Sequence, residues 1–203
     1  LDVCKSAAYA GFKRIVIVDG HGSNEHLCEF IARRATLETD AIVATTMWTN
    51  LIINEFEEIR ESGMGGAAHA CELETSAYLY LDPDRVQMDK AADHYGGAAG
   101  SEGSNYLYVD ISKGWGPVKV IKWTSASTPN GVSGAPTLAT ADKGKVLIEA
   151  ASDHLVAFSR EFKTMPDLVR VDGVQVAEDV EEGEGELAST LFRNPGLGIG
   201  RGV

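Results

Sequence analysis

Arg14-Ile-Val-Ile-Val-Asp19-Gly-His-Gly-Ser-Asn24 is the stretch that decides the fold. The unbroken aliphatic run between Arg14 and Asp19 has no polar alternation, the pattern of a short strand covered on both faces, and such strands belong to parallel sheets. Gly20 and Gly22 allow a sharp turn on either side of His21, and Asn24 stands where a side chain caps the next helix. Residues 25–35 space Leu27, Phe30, Ile31 and Ala35 at helical intervals. Upstream, residues 1–10 read as an amphipathic helix through Val3, Ala7 and Ala8, ended by Gly11. Downstream, residues 41–48 form a second apolar run, and residues 50–60 read as a helix with Leu51, Ile52, Ile53 and Phe56 inward. The βαβα order predicts a doubly wound α/β sandwich.

Residues 61–67 are small and favour neither helix nor strand, so they are expected to form a mobile flap hinged at Gly63, Gly65 and Gly66. A helix is predicted over 68–81, and residues 82–115, rich in glycine and containing Pro83, read as a surface excursion with an edge strand at 109–111. Residues 118–123 alternate as a strand does. The longest predicted helix covers 139–162 with Val146, Leu147, Ala150, Leu155 and Phe158 inward, and Ser152-Asp153 is a candidate interruption. Residues 1–171 are therefore assigned to the α/β domain, and 172–203 to an acidic, glycine-rich tail.

A chain of 203 residues suits one α/β domain. Its formal charge of −12 owes much to Glu178, Asp179, Glu181, Glu182, Glu184 and Glu186. That balance repels phosphate backbones, so no nucleic-acid partner is expected. No apolar run is long enough for a membrane span, and none is expected. Cys4, Cys28 and Cys71 are odd in number and irregularly spaced, which fits neither a disulfide framework nor a cysteine zinc site. The opening residues do not read as a secretion signal, and a cytoplasmic location is the expectation.

His21 follows the first strand at its carboxyl end, where α/β folds gather their ligand sites. The residues alone leave two readings: a ligand-bearing imidazole, or an incidental histidine in a capped turn. His69 and Glu74 lie in His69-Ala-Cys-Glu-Leu-Glu-Thr-Ser76. With a helix beginning at His69, Glu74 sits about 140° around from it, so the two need not share one ion. A carboxylate at 74 suits a metal, and an imidazole at 69 suits proton or substrate handling. Glu72 reads as a solvated helix residue. Trp48, at the end of the second strand, is either a pocket wall or a buried aromatic.

Asp19-Gly-His-Gly-Ser-Asn24 after an apolar strand, with His69-Ala-Cys-Glu-Leu-Glu-Thr-Ser76 after a glycine-rich loop, resembles the paired signature of the creatininase, or creatinine amidohydrolase, family. The usual family forms are close to Asn-Gly-His-Gly-Gly-Asn and His-Ala-Gly-x-x-Glu-Thr-Ser. Leu81-Asp-Pro-Asp-Arg-Val86 and Gly131-Val-Ser-Gly-Ala-Pro136 resemble later family segments, and the likeness covers residues 1–162. It implies a three-layer α/β/α sandwich with a mostly parallel sheet, and hydrolysis of an amide or cyclic amide C–N bond by a metal-activated water. It implies two divalent ions per complete site, Zn²⁺, Mn²⁺ or Fe²⁺, with His21 and Glu74 as ligands and His69 as the catalytic residue. Trp48, Gly66 and Asn24 become candidate substrate contacts.

Asp19 stands where relatives often carry Asn, and Ser23 where many carry Gly and some a metal-binding Glu. The family's other ligands, a Glu-x-His and a downstream Asp, are expected from a companion N-terminal polypeptide, in a homo-oligomer that family resemblance makes a hexamer. Creatinine-specific members present a Trp shortly before the position of His69. Gly65, Gly66 and Ala67 stand there instead, which argues against creatinine itself, and the resemblance implies a small-molecule amide substrate. Two further readings are a non-catalytic subunit with an incomplete site, and a phosphate-binding turn at residues 20–24. The second lacks the lysine and spacing of a phosphate loop.

Overall fold

A computed structural model describes residues 1–95 and 104–167. The boundary expected at residue 171, and the tail at 172–203, lie outside the described residues. In chain order the elements are α1 (Asp2–Tyr9), β1 (Arg14–Asp19), α2 (Glu25–Glu38), β2 (Ile42–Met47), α3 (Ile53–Ile59), β3 (Ala67–His69), α4 (Glu72–Leu81), β4 (Val109–Asp110), β5 (Gly114–Trp115), α5 (Thr124–Ser127), β6 (Ser133–Gly134) and α6 (Ala141–Thr164). The fold is α/β, as expected. β1 and β2 pair in parallel from Arg14 opposite Ile42 to Asp19 opposite Met47. A parallel pair needs a crossover, and α2 supplies it, packing on β2 through buried Ala32 and Ala35. No helix among the described residues is long and apolar enough to cross a membrane.

The core is a cluster of Ile52, Phe56, Ala67, Cys71, Leu73 and Leu147. It joins the α3 region, β3, α4 and α6. Gly144 lets α6 lie directly on α4, because a Cβ there would overlap the Ser76 carbonyl oxygen. Thr140 starts α6, its Oγ1 accepting from the Lys143 N–H at 3.2 Å. The helix runs unbroken through Ser152-Asp153, where Ser152 Oγ donates to the Ile148 carbonyl at 2.8 Å and so leaves the helical ladder intact. Of its expected inward set, Leu147 is fully buried whereas Val146 is 45% exposed.

Four expectations need correction. The helix predicted over 68–81 begins only at Glu72. Residues 67–69 are a strand instead, because β6 offers an antiparallel partner that pairs Ala67 with Gly134 and His69 with Ser133. Ala70, at φ +47°, makes the left-handed turn that separates strand from helix. The second correction concerns residues 118–123, which alternate but form no strand. Val118 N–H bonds the Tyr106 carbonyl, while Val120 and Ile121 find no covering layer among the described residues.

Glu72 is the third. It is fully buried rather than solvated, and its carboxylate accepts from the Glu61 N–H at 3.0 Å, the Ser62 N–H at 2.9 Å and Lys143 Nζ at 2.5 Å. The fourth is the expected flap at 61–67, which is pinned. Besides Glu72, Arg60 donates to the Gly63 carbonyl at 2.8 Å, and buried Asp110 accepts from the Gly65 N–H at 2.8 Å and from Arg60 at 3.0 Å. A Cβ on Gly66 would come within 2.6 Å of Ser62 Cβ, so this glycine serves close packing, not hinge motion.

Burial pushes the Glu72 carboxyl toward neutrality, but Lys143, Ser62 and the two amides outweigh it, and its pKa lies below the ordinary 4.5. A carboxylate lowered on folding stabilises the fold above its unfolded pKa, and that stabilisation fades as pH falls through the folded value. Glu72→Ala leaves the Glu61 and Ser62 amides without their acceptor and takes one of the partners of Lys143, which keeps Glu61 and the Leu138 carbonyl. We expect it to cost about 3 kcal/mol at neutral pH, read as a lower urea midpoint at unchanged slope. The gap between wild type and variant should narrow as pH falls below 4.5. A gap independent of pH would contradict this account.

Candidate active site

The last residue of β1 is buried Asp19, whose Oδ1 accepts from the His21 N–H at 3.1 Å. This short loop fixes the backbone as the strand gives way to a 3₁₀ turn over Gly22–Asn24, whose Asn24 N–H donates to the His21 carbonyl at 2.8 Å. The His21 ring is thereby held outside the sheet end, exposed. His69 ends β3, and its ring meets that of His21 edge-on, with centroids 6.2 Å apart at 69°. Ala70 then reverses the chain, and Glu74 in the first turn of α4 reaches back to accept the Ala70 N–H at 2.6 Å. Its negative charge also sits at the favourable end of the helix dipole. One carboxylate thus ties the strand end that carries His69 to the helix that carries Glu74.

His69 and Glu74 line a cavity of about 590 Å³ together with Gly20, Trp48, Tyr78 and Ile148. Trp48 is half-buried, one side on the core cluster and the other on the cavity, which joins the two readings made of it. Gly66 and Asn24 are not among the lining residues. Gly66 packs behind the site on Ser62 and Tyr95, and Asn24 is exposed at the turn. Asn24 makes no side-chain cap either. Its own backbone is helical, φ −92° and ψ −13°, which removes it from the extended conformation that lets a cap side chain reach the next turn. Tyr78 and Ile148 were not foreseen. Tyr78 lies four residues beyond Glu74, one helical turn along the same face, and that spacing was readable. Ile148 comes from α6, far along the chain, and carries no local signal.

Imidazole nitrogen and carboxylate oxygen together suit Zn²⁺, Mn²⁺ and Fe²⁺. Among the described residues, no group of three or more His, Cys, Asp or Glu side chains gathers as a metal-binding set. The structure sets the His21 and His69 imidazoles edge to edge and places His69 and Glu74 on one cavity, whose lining does not include His21.

A family model described as creatininase, creatinine amidohydrolase, matches residues 1–159. A Thermotoga maritima protein named 3-dehydro-scyllo-inosose hydrolase is 30% identical over 163 residues, covering 74% of this chain and 51% of that protein. The chain thus spans about half the length of the curated relative it matches. Among solved structures, a Bacteroides fragilis protein assigned as a creatinine amidohydrolase superposes with a TM-score of 0.61 at 20% identity, over 83% of this chain and 61% of that one. A structure entitled "Creatininase Mn" gives a TM-score of 0.59 at 20% identity, over 79% and 60%.

Cys71 sits against this site, and burial, then the charge of Glu74, pushes its thiol up to about 12. Its side chain is fully buried, out of reach of solvent and of alkylating reagents. In the native protein, iodoacetamide should therefore label half-exposed Cys28 and leave Cys71 unmodified until the chain unfolds, as followed by peptide mass spectrometry. Labelling of Cys71 at the rate of Cys28 would contradict the packing described here.

Proposed function

The chain belongs to the creatininase family, and from that premise we propose that it forms the part of a metal-dependent hydrolase that presents His21, His69 and Glu74 to a small-molecule substrate. The observation that carries this reading is the convergence of two imidazoles and a carboxylate from two separate sequence motifs: His21 and His69 meet edge-on, and His69 and Glu74 share one cavity.

His21 and Glu74 are the residues that would hold divalent ions, with two per complete site in this reading. Their donor chemistry fits Zn²⁺, Mn²⁺ or Fe²⁺, and one of the solved creatininases is named as a manganese form. Ions held there would supply Lewis-acid chemistry, activating a water and polarising a carbonyl. Two donors do not complete a coordination sphere, so the proposal requires further ligands from beyond the described residues. Assembly into a homo-oligomer belongs to the same proposal.

His69, exposed at the cavity and held by β3 pairing, is the group that delivers a proton to the atom that leaves. The Glu74 carboxylate, fixed by the Ala70 N–H, keeps its remaining lone pairs for the site. Trp48, Tyr78 and Ile148 give the substrate an apolar wall, and Gly20 lets it approach the backbone. The first substrate class is an amide or cyclic amide, cleaved at C–N. A second reading is favoured by the Thermotoga relative: the compound in its name, 3-dehydro-scyllo-inosose, would occupy the same cavity.

His21→Ala and Glu74→Ala should each lose divalent metal on dialysis, as read by elemental analysis, while far-ultraviolet circular dichroism stays unchanged. His69→Ala should keep its metal and lose about 10²- to 10⁴-fold in turnover. Turnover is to be followed over a panel of linear amides, cyclic amides and 3-dehydro-scyllo-inosose. Full metal content and activity in the His21 or Glu74 variant would contradict the assignment, and loss of metal from His69→Ala would move that residue to the ligands.

A further inference from the structure

Asp19 is 5% exposed, and only one of its carboxylate oxygens is accounted for. Oδ1 takes the His21 N–H at 3.1 Å, while Oδ2 is fully enclosed and has no hydrogen-bond partner among the described residues. A buried carboxylate oxygen without a donor is costly, and such groups are normally satisfied by a hydrogen bond or by a cation. A neutral amide would satisfy the His21 N–H equally well through its own carbonyl oxygen. The turn therefore does not need the negative charge.

The charge stands two residues from His21 and is fastened to its backbone, at the carboxyl end of β1 and next to Gly20 in the cavity wall. We propose that Asp19 is a charge-bearing part of the metal centre, acting through space from behind the His21 backbone, so that its negative charge strengthens divalent-cation binding. This rests on the reading that His21 holds a divalent ion. It assigns to Asp19 a role that an amide at the same position does not fill. Cys28 also lies near Asp19, whose charge adds to burial in raising that thiol. A protonated thiol is a weak donor and leaves the carboxylate charge uncompensated.

Asp19→Asn isolates the charge, because it keeps an acceptor for the His21 N–H. Mn²⁺ is the probe, added to the metal-stripped full chain and followed by electron paramagnetic resonance of the free ion. The variant is expected to bind Mn²⁺ roughly 10- to 100-fold more weakly than wild type, the range seen when groups supporting metal ligands are removed. Its melting temperature without metal should be equal or higher, since an unpartnered buried charge has been removed. Added Mn²⁺ should raise that temperature less in the variant than in wild type. Equal Mn²⁺ affinity in the two proteins would overturn this inference and leave the assignment of His21 standing. A lower metal-free melting temperature in the variant would also overturn it, by showing that the charge serves the fold. A wild-type protein that binds no Mn²⁺ together with every chain that co-purifies with it would overturn both readings.

Discussion

The carboxylate of Glu72 is the constraint on which the rest of the site depends. It lies out of reach of water and is held by donors from distant parts of the chain, the amides of Glu61 and Ser62 on one side and Lys143 of α6 on the other. A buried carboxylate cannot exchange those partners for solvent, so the loop at 61–66, the start of α4 and the start of α6 must come together at one point. Glu74 is two residues further along the same helix and His69 three residues before it. Their positions follow from where this carboxylate is fixed. The Arg60–Asp110 pair repeats the principle on the other side of the loop, with Asp110 fully buried and accepting from both Arg60 and the Gly65 amide.

What these anchors deliver is a rigid approach to the cavity from two directions. From one side β1 runs parallel to β2 and ends at Asp19, so His21 is presented just past the sheet, where strands in α/β folds hand over to loops. From the other side the short pairing of β3 with β6 sets His69, and the left-handed turn at Ala70 brings Glu74 back beside it. Neither half alone makes a site. The edge-on meeting of the two imidazoles is where they join, and sites assembled on strand ends and helix starts hold their geometry more closely than sites on free loops.

The parallel β1–β2 pair, its crossover helix and the long final helix were legible in the sequence because each has a strong local pattern: uninterrupted aliphatics for β1, and helical spacing through Leu147 for α6. His21, His69 and Glu74 were legible as motif residues. What escaped is non-local. Residues 67–69 look helical by composition and become a strand only because β6, more than sixty residues later, supplies the partner. Glu72 looks solvated because nothing near it in sequence announces Lys143 across the core. The glycines at 63, 65 and 66 suggested hinge motion, yet the polar groups that pin their backbone come from Arg60, Glu72 and Asp110. Tyr78 was within reach of helical spacing, and Ile148 was not. The Asn24 cap failed for a local reason, since a short 3₁₀ turn had already placed that residue in the helical region.

The central claim is that His21 and Glu74, on separate motifs that meet through His69, serve one metal centre beside the cavity. It is tested most directly by an anomalous difference map from crystals of the full chain grown with Co²⁺. The account predicts a peak within about 2.0–2.2 Å of a His21 ring nitrogen or a Glu74 carboxylate oxygen, the ordinary range for nitrogen and oxygen ligands to such ions. That peak should vanish in both the His21→Ala and the Glu74→Ala crystals. A peak bound elsewhere on the chain, or one that survives both substitutions, would contradict it.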